Sequence, residues 1–126
     1  DGNSAPYLQY AHARIRSVLD KYAAQFPEGC PADAPYNLSE SLERELALKI
    51  ARYPEAVLVA TRTYRPNLLA DYLFDLAQTY STYHQSIPFL RAEPGIRESR
   101  MKLIALVANT LEKGLKLLGI EAPNRI

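Results

Sequence analysis

Tyrosine and basic residues recur in the first part of the chain at spacings that suit a helix. Tyr7, Tyr10, Arg14, Ser17 and Lys21 follow one another at intervals of three or four, so in a helix they form a single stripe. Two phenol rings offer flat surfaces on which bases can stack, and the two cations can contact phosphate. The stripe is therefore typical, in miniature, of a surface that binds single-stranded RNA.

A purely structural explanation of this stripe is also open. Tyrosines commonly pack beneath a neighbouring helix with their hydroxyls at the rim, and Arg14 and Lys21 would then be solvated. Amphipathic helices that carry tyrosine are common, so the spacing alone favours the structural explanation.

Composition limits what such a surface can do. The 126 residues are 48% hydrophobic and 23% charged, enough for one domain with a core of its own. A net charge of +1 argues against a protein that holds nucleic acid by bulk electrostatics alone. Residues 97–126 carry six Lys or Arg against three Asp or Glu. If the two ends of the chain lie side by side they form a basic face, although ordinary solvation of a terminal helix explains the excess equally well.

No constellation of residues points to catalysis or to a metal site. Cys30 is the single cysteine, so no internal disulfide is possible, and His12 and His84 are predicted to be ordinary surface histidines. Ser17 has no activating base nearby, which excludes a small hydrolase. With no signal peptide and no membrane-spanning run, we expect a cytoplasmic protein without a membrane or DNA partner. The missing start methionine suggests a fragment.

Turn signals and apolar periodicity predict an all-α bundle of about five helices. The first predicted helix runs from a cap at Asn3 or Ser4 to Phe26, and the second from a cap at Asn37 to about Arg52. A short third helix begins at Pro54, and a fourth runs from Pro66 for about six turns to Ile87. The fifth begins beyond Gly95 and ends at a C-cap at Gly119. Residues 27–36 and 88–95 are predicted loops because they are rich in proline and glycine. Gly114, inside the last helix, suggests close packing against another backbone.

Apolar residues at helical spacing define the predicted core. They are Leu8, Ala11, Ile15, Val18, Leu19, Tyr22 and Phe26 in the first helix, Leu38, Leu42, Leu46 and Ile50 in the second, Leu69, Tyr72, Leu73, Leu76, Tyr80, Tyr83 and Ile87 in the fourth, and Met101, Ile104, Ala105, Ala108, Leu111, Leu115 and Leu118 in the fifth.

Residues 2–17, which read Gly-Asn-Ser-Ala-Pro-Tyr-Leu-Gln-Tyr-Ala-His-Ala-Arg-Ile-Arg-Ser, closely resemble the start of the anticodon-binding domain of arginyl-tRNA synthetases, the all-helical DALR domain. The resemblance continues in the same order through residues 52–57, 66–77, 80–84, 100–108 and 114–123. Two places depart from the family pattern. Residues 94–97 read Pro-Gly-Ile-Arg in place of Asp-Ala-Leu-Arg, and the chain ends Pro-Asn-Arg-Ile where the family commonly ends Pro-Glu-Arg-Met.

The resemblance implies binding of the anticodon stem and loop of arginine tRNA, with unpaired bases on aromatic side chains and arginine at the loop. By this resemblance, the residues of this sequence that contact the RNA are Tyr7, Tyr10, Arg14, Tyr83 and Ile126. Tyr83 also lies on a predicted core stripe, so packing explains that residue as well. Separately, the three-residue spacing of two further arginines is more typical of ion pairs at a helix start, or of solvated charges, than of base contacts; these are Arg97 and Arg100.

The resemblance further implies that residues 1–126 are the C-terminal anticodon-binding domain of a class I arginine-tRNA ligase. Its ATP-binding motifs, His-Ile-Gly-His and Lys-Met-Ser-Lys, do not occur in these residues. We therefore expect no catalytic residue, metal or cofactor in this piece, and ATP and Mg²⁺ chemistry in a catalytic domain of the same chain. Two alternatives stay open: the anticodon-binding domain of the glycyl-tRNA synthetase beta subunit, and a helical protein-interaction module without RNA binding.

Overall fold

The computed structural model describes residues 4–125, with the side chain of Ser4 excepted. Its five helices are α1 (Ser4–Gln25), α2 (Ser41–Ala51), α3 (Tyr53–Arg62), α4 (Pro66–Ser86) and α5 (Ile96–Leu117). Residues 4–125 contain no strand, so the predicted all-α bundle of five helices is confirmed. Among these residues no helix combines the length and the apolar character needed to cross a membrane.

Helix α1 packs against both α4 and α5, and it runs antiparallel to α5. Near its C-terminal end the Tyr22 hydroxyl donates to Glu98 of α5 at 2.7 Å. Near its N-terminal end the Tyr7 ring packs at a tilt against Phe74 of α4, with ring centroids 5.0 Å apart. The first and last helices therefore do lie side by side, and α1 has one flank against α4 and the other against α5.

The predicted apolar stripes form one continuous core that joins α1, α2, α4 and α5. Burial of each large aliphatic side chain contributes about 1.5–3 kcal/mol. Members with no more than 1% of their surface exposed include Leu8, Ile15, Leu46, Leu73, Leu76, Tyr80, Ile104, Leu111 and Leu115.

Helix α2 begins later than its sequence predicts. The Glu43 carboxylate accepts the Glu40 backbone N–H at 3.0 Å, so the cap lies at Glu40 and not at Asn37. The Asn37 backbone N–H instead donates to the Ser99 hydroxyl at 2.6 Å. That contact with α5 holds the residues before α2 out of the helix, because Ser99 lies 62 positions away and no local pattern announces it.

Two glycines shape α5. Gly119 has a φ of +77° and follows the C-cap residue Leu118, and the Ile120 N–H donates to the Leu115 carbonyl at 2.8 Å. The predicted end of the helix is therefore confirmed, with the cap one residue before the predicted Gly119. At Gly114 a β-carbon would lie 2.6 Å from both methyl carbons of Leu73. The close packing predicted at Gly114 is therefore present, but its partner is a side chain of α4 and not a backbone.

Candidate nucleic-acid interface

Tyr10 is the exposed ring of the α1 stripe. Half of its surface, 52%, is open to solvent. The Arg14 guanidinium lies one turn further on, with its central carbon 5.6 Å from the centroid of the Tyr10 ring. This distance is within the range of a cation–π contact. A flat ring and a cation are thus presented together on the outside of the bundle, which is the arrangement that stacking of an unpaired base requires.

Tyr7 serves mainly to attach α1 to α4. It is half-buried, its ring packs on Phe74, and its hydroxyl is hydrogen-bonded to the Ser81 hydroxyl at 3.2 Å. The structural explanation of the stripe therefore applies largely to this tyrosine. Only the exposed part of the Tyr7 ring is free to meet a ligand beside Tyr10.

The rest of the stripe faces the last turns of α4. There Tyr80 and His84 form a hydrogen-bonded pair, with 3.0 Å between the Tyr80 hydroxyl and His84 Nδ1. Burial lowers the pKa of His84, and the positive charges of Arg14 and Lys21 lower it further. His84 is half-buried and hydrogen-bonded to Tyr80, so it is less exposed than the predicted ordinary surface histidine.

A groove of about 430 Å³ opens beside His84, between α1 and the residues that follow α4. Its floor is apolar and includes Ile87 and Phe89, while Lys21, Gln85 and Arg91 line its polar edge. Such a groove could receive an unpaired base, with cations for the phosphates and an amide for the base edge. No local sequence pattern distinguishes Gln85 and Arg91, because only the packing of α1 on α4 brings these residues next to Lys21.

The structure places Tyr83 in the centre of the bundle, where it cannot stack on a base. Its exposed fraction is 0%, its hydroxyl donates to Glu43 at 2.6 Å, and its ring meets Phe89 edge-on with centroids 5.3 Å apart. Tyr83 therefore packs in the core and is not accessible for the predicted contact with RNA. The physical reason is that Tyr83 shares the inward face of α4 with Tyr80 and Leu76.

The chain's end lies partly beyond what the structure describes. Ile126, the last predicted contact residue, lies outside the described residues, whereas residues 121 and 123 rest against α1. There the Gln9 side chain donates to the Glu121 carbonyl and His12 Nδ1 lies 3.0 Å from the Pro123 carbonyl. His12 is only 1% exposed, so the prediction of a surface histidine is wrong for this residue.

The two arginines at the start of α5 form ion pairs, as predicted. Arg97 Nε lies 2.9 Å from the Glu98 carboxylate, and Arg100 Nε lies 2.9 Å from the buried Glu43 carboxylate. Glu98 is already counted among the acidic residues of 97–126, so only the pair of Arg100 with Glu43 of α2 reduces the positive excess of that stretch. The possible basic face along the two chain ends is correspondingly weaker than the residue count suggests.

Comparison with known proteins identifies the fold and its family. The family model described as "DALR anticodon binding domain" matches residues 8–126. The chain belongs to the DALR anticodon-binding domain family. The departures at residues 94–97 and at the last residues of this DALR domain do not alter that membership, and the predicted resemblance is confirmed.

Several relatives of this DALR domain are arginine–tRNA ligases. That of Pyrococcus abyssi is 40% identical over 126 residues, which cover the whole of this chain and 20% of the relative. That of Chloroflexus aurantiacus is 42% identical, again over the whole of this chain and 22% of the relative. The solved Thermus thermophilus arginyl-tRNA synthetase superposes with a TM-score of 0.82 at 38% identity, covering 96% of this chain and 21% of that one. The DALR domain thus spans about one fifth of the length of these relatives.

Proposed function

We propose that this DALR domain binds the anticodon stem and loop of an arginine tRNA. The observation that carries the proposal is the exposed Tyr10 ring with the Arg14 guanidinium beside it, on the same stripe of α1 as Lys21, which lines the groove next to His84. Family membership supports anticodon binding, and the arginine–tRNA ligase relatives support arginine tRNA as the ligand.

Each contact residue has a distinct part in this proposal. Tyr10, with the exposed part of Tyr7, provides the surface for unpaired bases, at about 1–3 kcal/mol per stacked base. Arg14 contacts a phosphate or a base edge. Ile126 adds an apolar contact at the chain's end. With a net charge of only +1, the domain depends more on stacking than on bulk attraction to the phosphates.

We further propose that residues 1–126 are the C-terminal domain of a longer arginine–tRNA ligase, which joins arginine to its tRNA with ATP and Mg²⁺. Catalysis belongs to the other part of that chain, so the present domain alone is inactive. Its part is to place the tRNA so that the acceptor end reaches the active site. The cytoplasm is the proposed location, which suits the free thiol of Cys30.

An apolar groove of about 320 Å³ is our proposed contact with the remainder of the longer chain. Val57 and Leu69 line it, together with Tyr64 and Leu117, which are 92% and 62% exposed. Large exposed apolar groups of this kind mark interaction surfaces. Leu117→Ser should lower the unfolding temperature of the longer ligase and leave that of the 126-residue chain unchanged; equal effects in both would contradict this contact.

The decisive experiment titrates the domain with arginine tRNA transcripts that carry single anticodon substitutions, at two salt concentrations. We expect tight binding of the unaltered transcript and weaker binding of at least one anticodon variant. A glycine tRNA transcript serves as the control ligand. Equal binding of the arginine and glycine tRNAs would point to the glycyl-tRNA synthetase alternative, and no binding of either would favour the protein-interaction module.

Variants of the α1 stripe then test the site itself. Arg14→Ala should weaken binding and, if Arg14 contacts a phosphate, reduce the slope of log affinity against log salt by about one unit. Arg52→Ala is the matched control, because Arg52 is exposed between α2 and α3 and lies on neither flank of α1. Unchanged affinity in Arg14→Ala would remove this residue from the site.

A further inference from the structure

Two side chains of α1 hold the backbone of the last residues. Gln9 Nε2 donates to the Glu121 carbonyl at 3.0 Å, and His12 Nδ1 lies at the same distance from the Pro123 carbonyl. Because a carbonyl oxygen can only accept, His12 Nδ1 must carry the proton. Both bonds end on main-chain oxygens, so they hold this stretch of chain whatever its side chains are. We call residues 120–125 the C-terminal segment.

The burial of His12 indicates that the main role of this side chain is its hydrogen bond to the Pro123 carbonyl. The imidazole is 1% exposed, yet its Nε2 has no hydrogen-bond partner among the described residues, and the nearest carboxylate oxygen, on Glu112, is 3.8 Å away. A buried polar atom without a partner destabilises the fold. An apolar side chain would avoid that cost but could not donate to the Pro123 carbonyl.

The backbone conformation and packing of the C-terminal segment favour this attachment. Gly119 reverses the chain after α5, and Ile120 and Ala122 then pack on the core. Pro123 restricts its own φ to near −65°, which stiffens the segment where His12 holds it. The segment therefore returns along α1 as an ordered strip and is held at two points.

The attachment lies close to the proposed RNA face but on the other flank of α1. Helical geometry separates His12 from both Tyr10 and Arg14 by about 160° around the helix axis, and it separates Gln9 from them by about 100° and 140°. Between the two flanks lies Ala13, which is 9% exposed although it does not belong to the continuous core.

We propose that His12 is a positioning residue, which fixes the C-terminal segment on α1 and thereby lets the chain's end contribute to RNA affinity. The structural half of this inference stands without RNA, whereas its second half rests on the proposed function. Gln9 assists at the Glu121 carbonyl. His12 itself touches no RNA and acts only through the segment that it holds.

The first experiment needs no RNA and measures the segment directly. Backbone ¹⁵N relaxation of Ala122, Asn124 and Arg125 should show much larger fast motion in His12→Ala than in the unmodified chain. His12→Asn should restore most of the order, because its side-chain amide can donate to the Pro123 carbonyl. Ile15→Ala, a cavity at a buried α1 position, should leave these three residues ordered. Unchanged relaxation in His12→Ala would overturn the proposal.

The second experiment measures affinity for the arginine tRNA transcript in a cycle with a chain that ends at Ala122. His12→Ala should lower the affinity about three- to tenfold, the effect expected from loss of one hydrogen bond, and shortening the chain should lower it at least as much. In the shortened chain His12→Ala should have no further effect. An equal loss in both chains, or no loss on shortening, would overturn the positioning role. If the unmodified chain binds no tRNA, the proposed function fails, and relaxation still decides whether His12 holds the segment.

Discussion

The Tyr83 hydroxyl donates a hydrogen bond of 2.6 Å to the Glu43 carboxylate in the middle of the bundle. Glu43 also accepts from Arg100 Nε at 2.9 Å, so one buried carboxylate joins α2, α4 and α5. Burial raises the pKa of Tyr83, and the hydrogen bond and negative charge of Glu43 raise it further. The phenol therefore stays protonated at neutral pH and acts as a structural donor.

Tyr83→Phe should lower the free energy of unfolding by about 1.5–3 kcal/mol, the usual contribution of a hydrogen bond to a charged group. Urea denaturation measures this loss. The affinity for arginine tRNA should stay within about twofold, because the ring is kept and lies far from solvent. Lower affinity with unchanged stability would show that Tyr83 contacts RNA after all. Tyr10→Phe, at an exposed ring, is the matched control and should leave stability unchanged.

Arg14→Ala should raise the pKa of His84. Burial is the first cause of its lowered pKa, and the nearby charge of Arg14 is the second, ahead of that of Lys21. Removing one positive neighbour makes protonation of the imidazole easier, so NMR titration of the His84 ring should show a higher pKa in Arg14→Ala and a smaller rise in Lys21→Ala. Arg16→Ala should have no effect. An unchanged value in Arg14→Ala would mean that the charge of Arg14 does not act on His84.

Glu98 should make the stability of the chain depend on acid pH. Burial by itself raises the pKa of Glu98, but hydrogen bonds from the Gly95 N–H, the Tyr22 hydroxyl and Arg97 outweigh it and lower the pKa from 4.5 to about 2. A lowered pKa in the folded state stabilises the fold above pH 4.5, and this contribution is lost as the pH falls towards 2.

Glu98→Gln should therefore flatten the decline in urea midpoint between about pH 5 and pH 2. The variant should also be less stable than the parent at pH 7, and the two should converge in acid. Glu93→Gln, at an exposed position shortly before α5, is the control and should keep the parental profile. An undiminished decline in Glu98→Gln would assign the acid sensitivity to other carboxylates.

Gly114→Ala should destabilise the bundle even though alanine is the better helix former. Alanine gains about 1 kcal/mol in helix propensity, but its β-carbon would approach both Leu73 methyl groups to 2.6 Å. Overpacking of this kind costs about 1–3 kcal/mol or more. In a Leu73→Ala background the same substitution should become neutral or stabilising, as a double-mutant cycle in urea would show. An equal loss in both backgrounds would exclude Leu73 as the cause.

The sequence by itself determined the helices and their inward faces. Prolines at helix starts, the glycine after α5 and apolar residues at three- and four-residue spacing act within one or two turns, so they can be read locally. The five helices and the buried positions of Leu8, Ile15, Leu76 and Leu111 follow from such signals. The resemblance to the DALR family could likewise be recognised from the sequence, because it rests on short motifs that occur in the same order.

Only the tertiary structure decided which side chains meet across the bundle. The cap of α2 lies at Glu40 and not at Asn37, because the Asn37 N–H donates to Ser99. Tyr83 lies in the core and not at the predicted site, where its hydroxyl donates to Glu43. His12 became buried because the chain's end returns to it from 111 residues away. These partners are far apart in the chain and follow no periodic pattern. Their choice depends on how α1, α4 and α5 pack, which is a property of the whole bundle and not of any one segment.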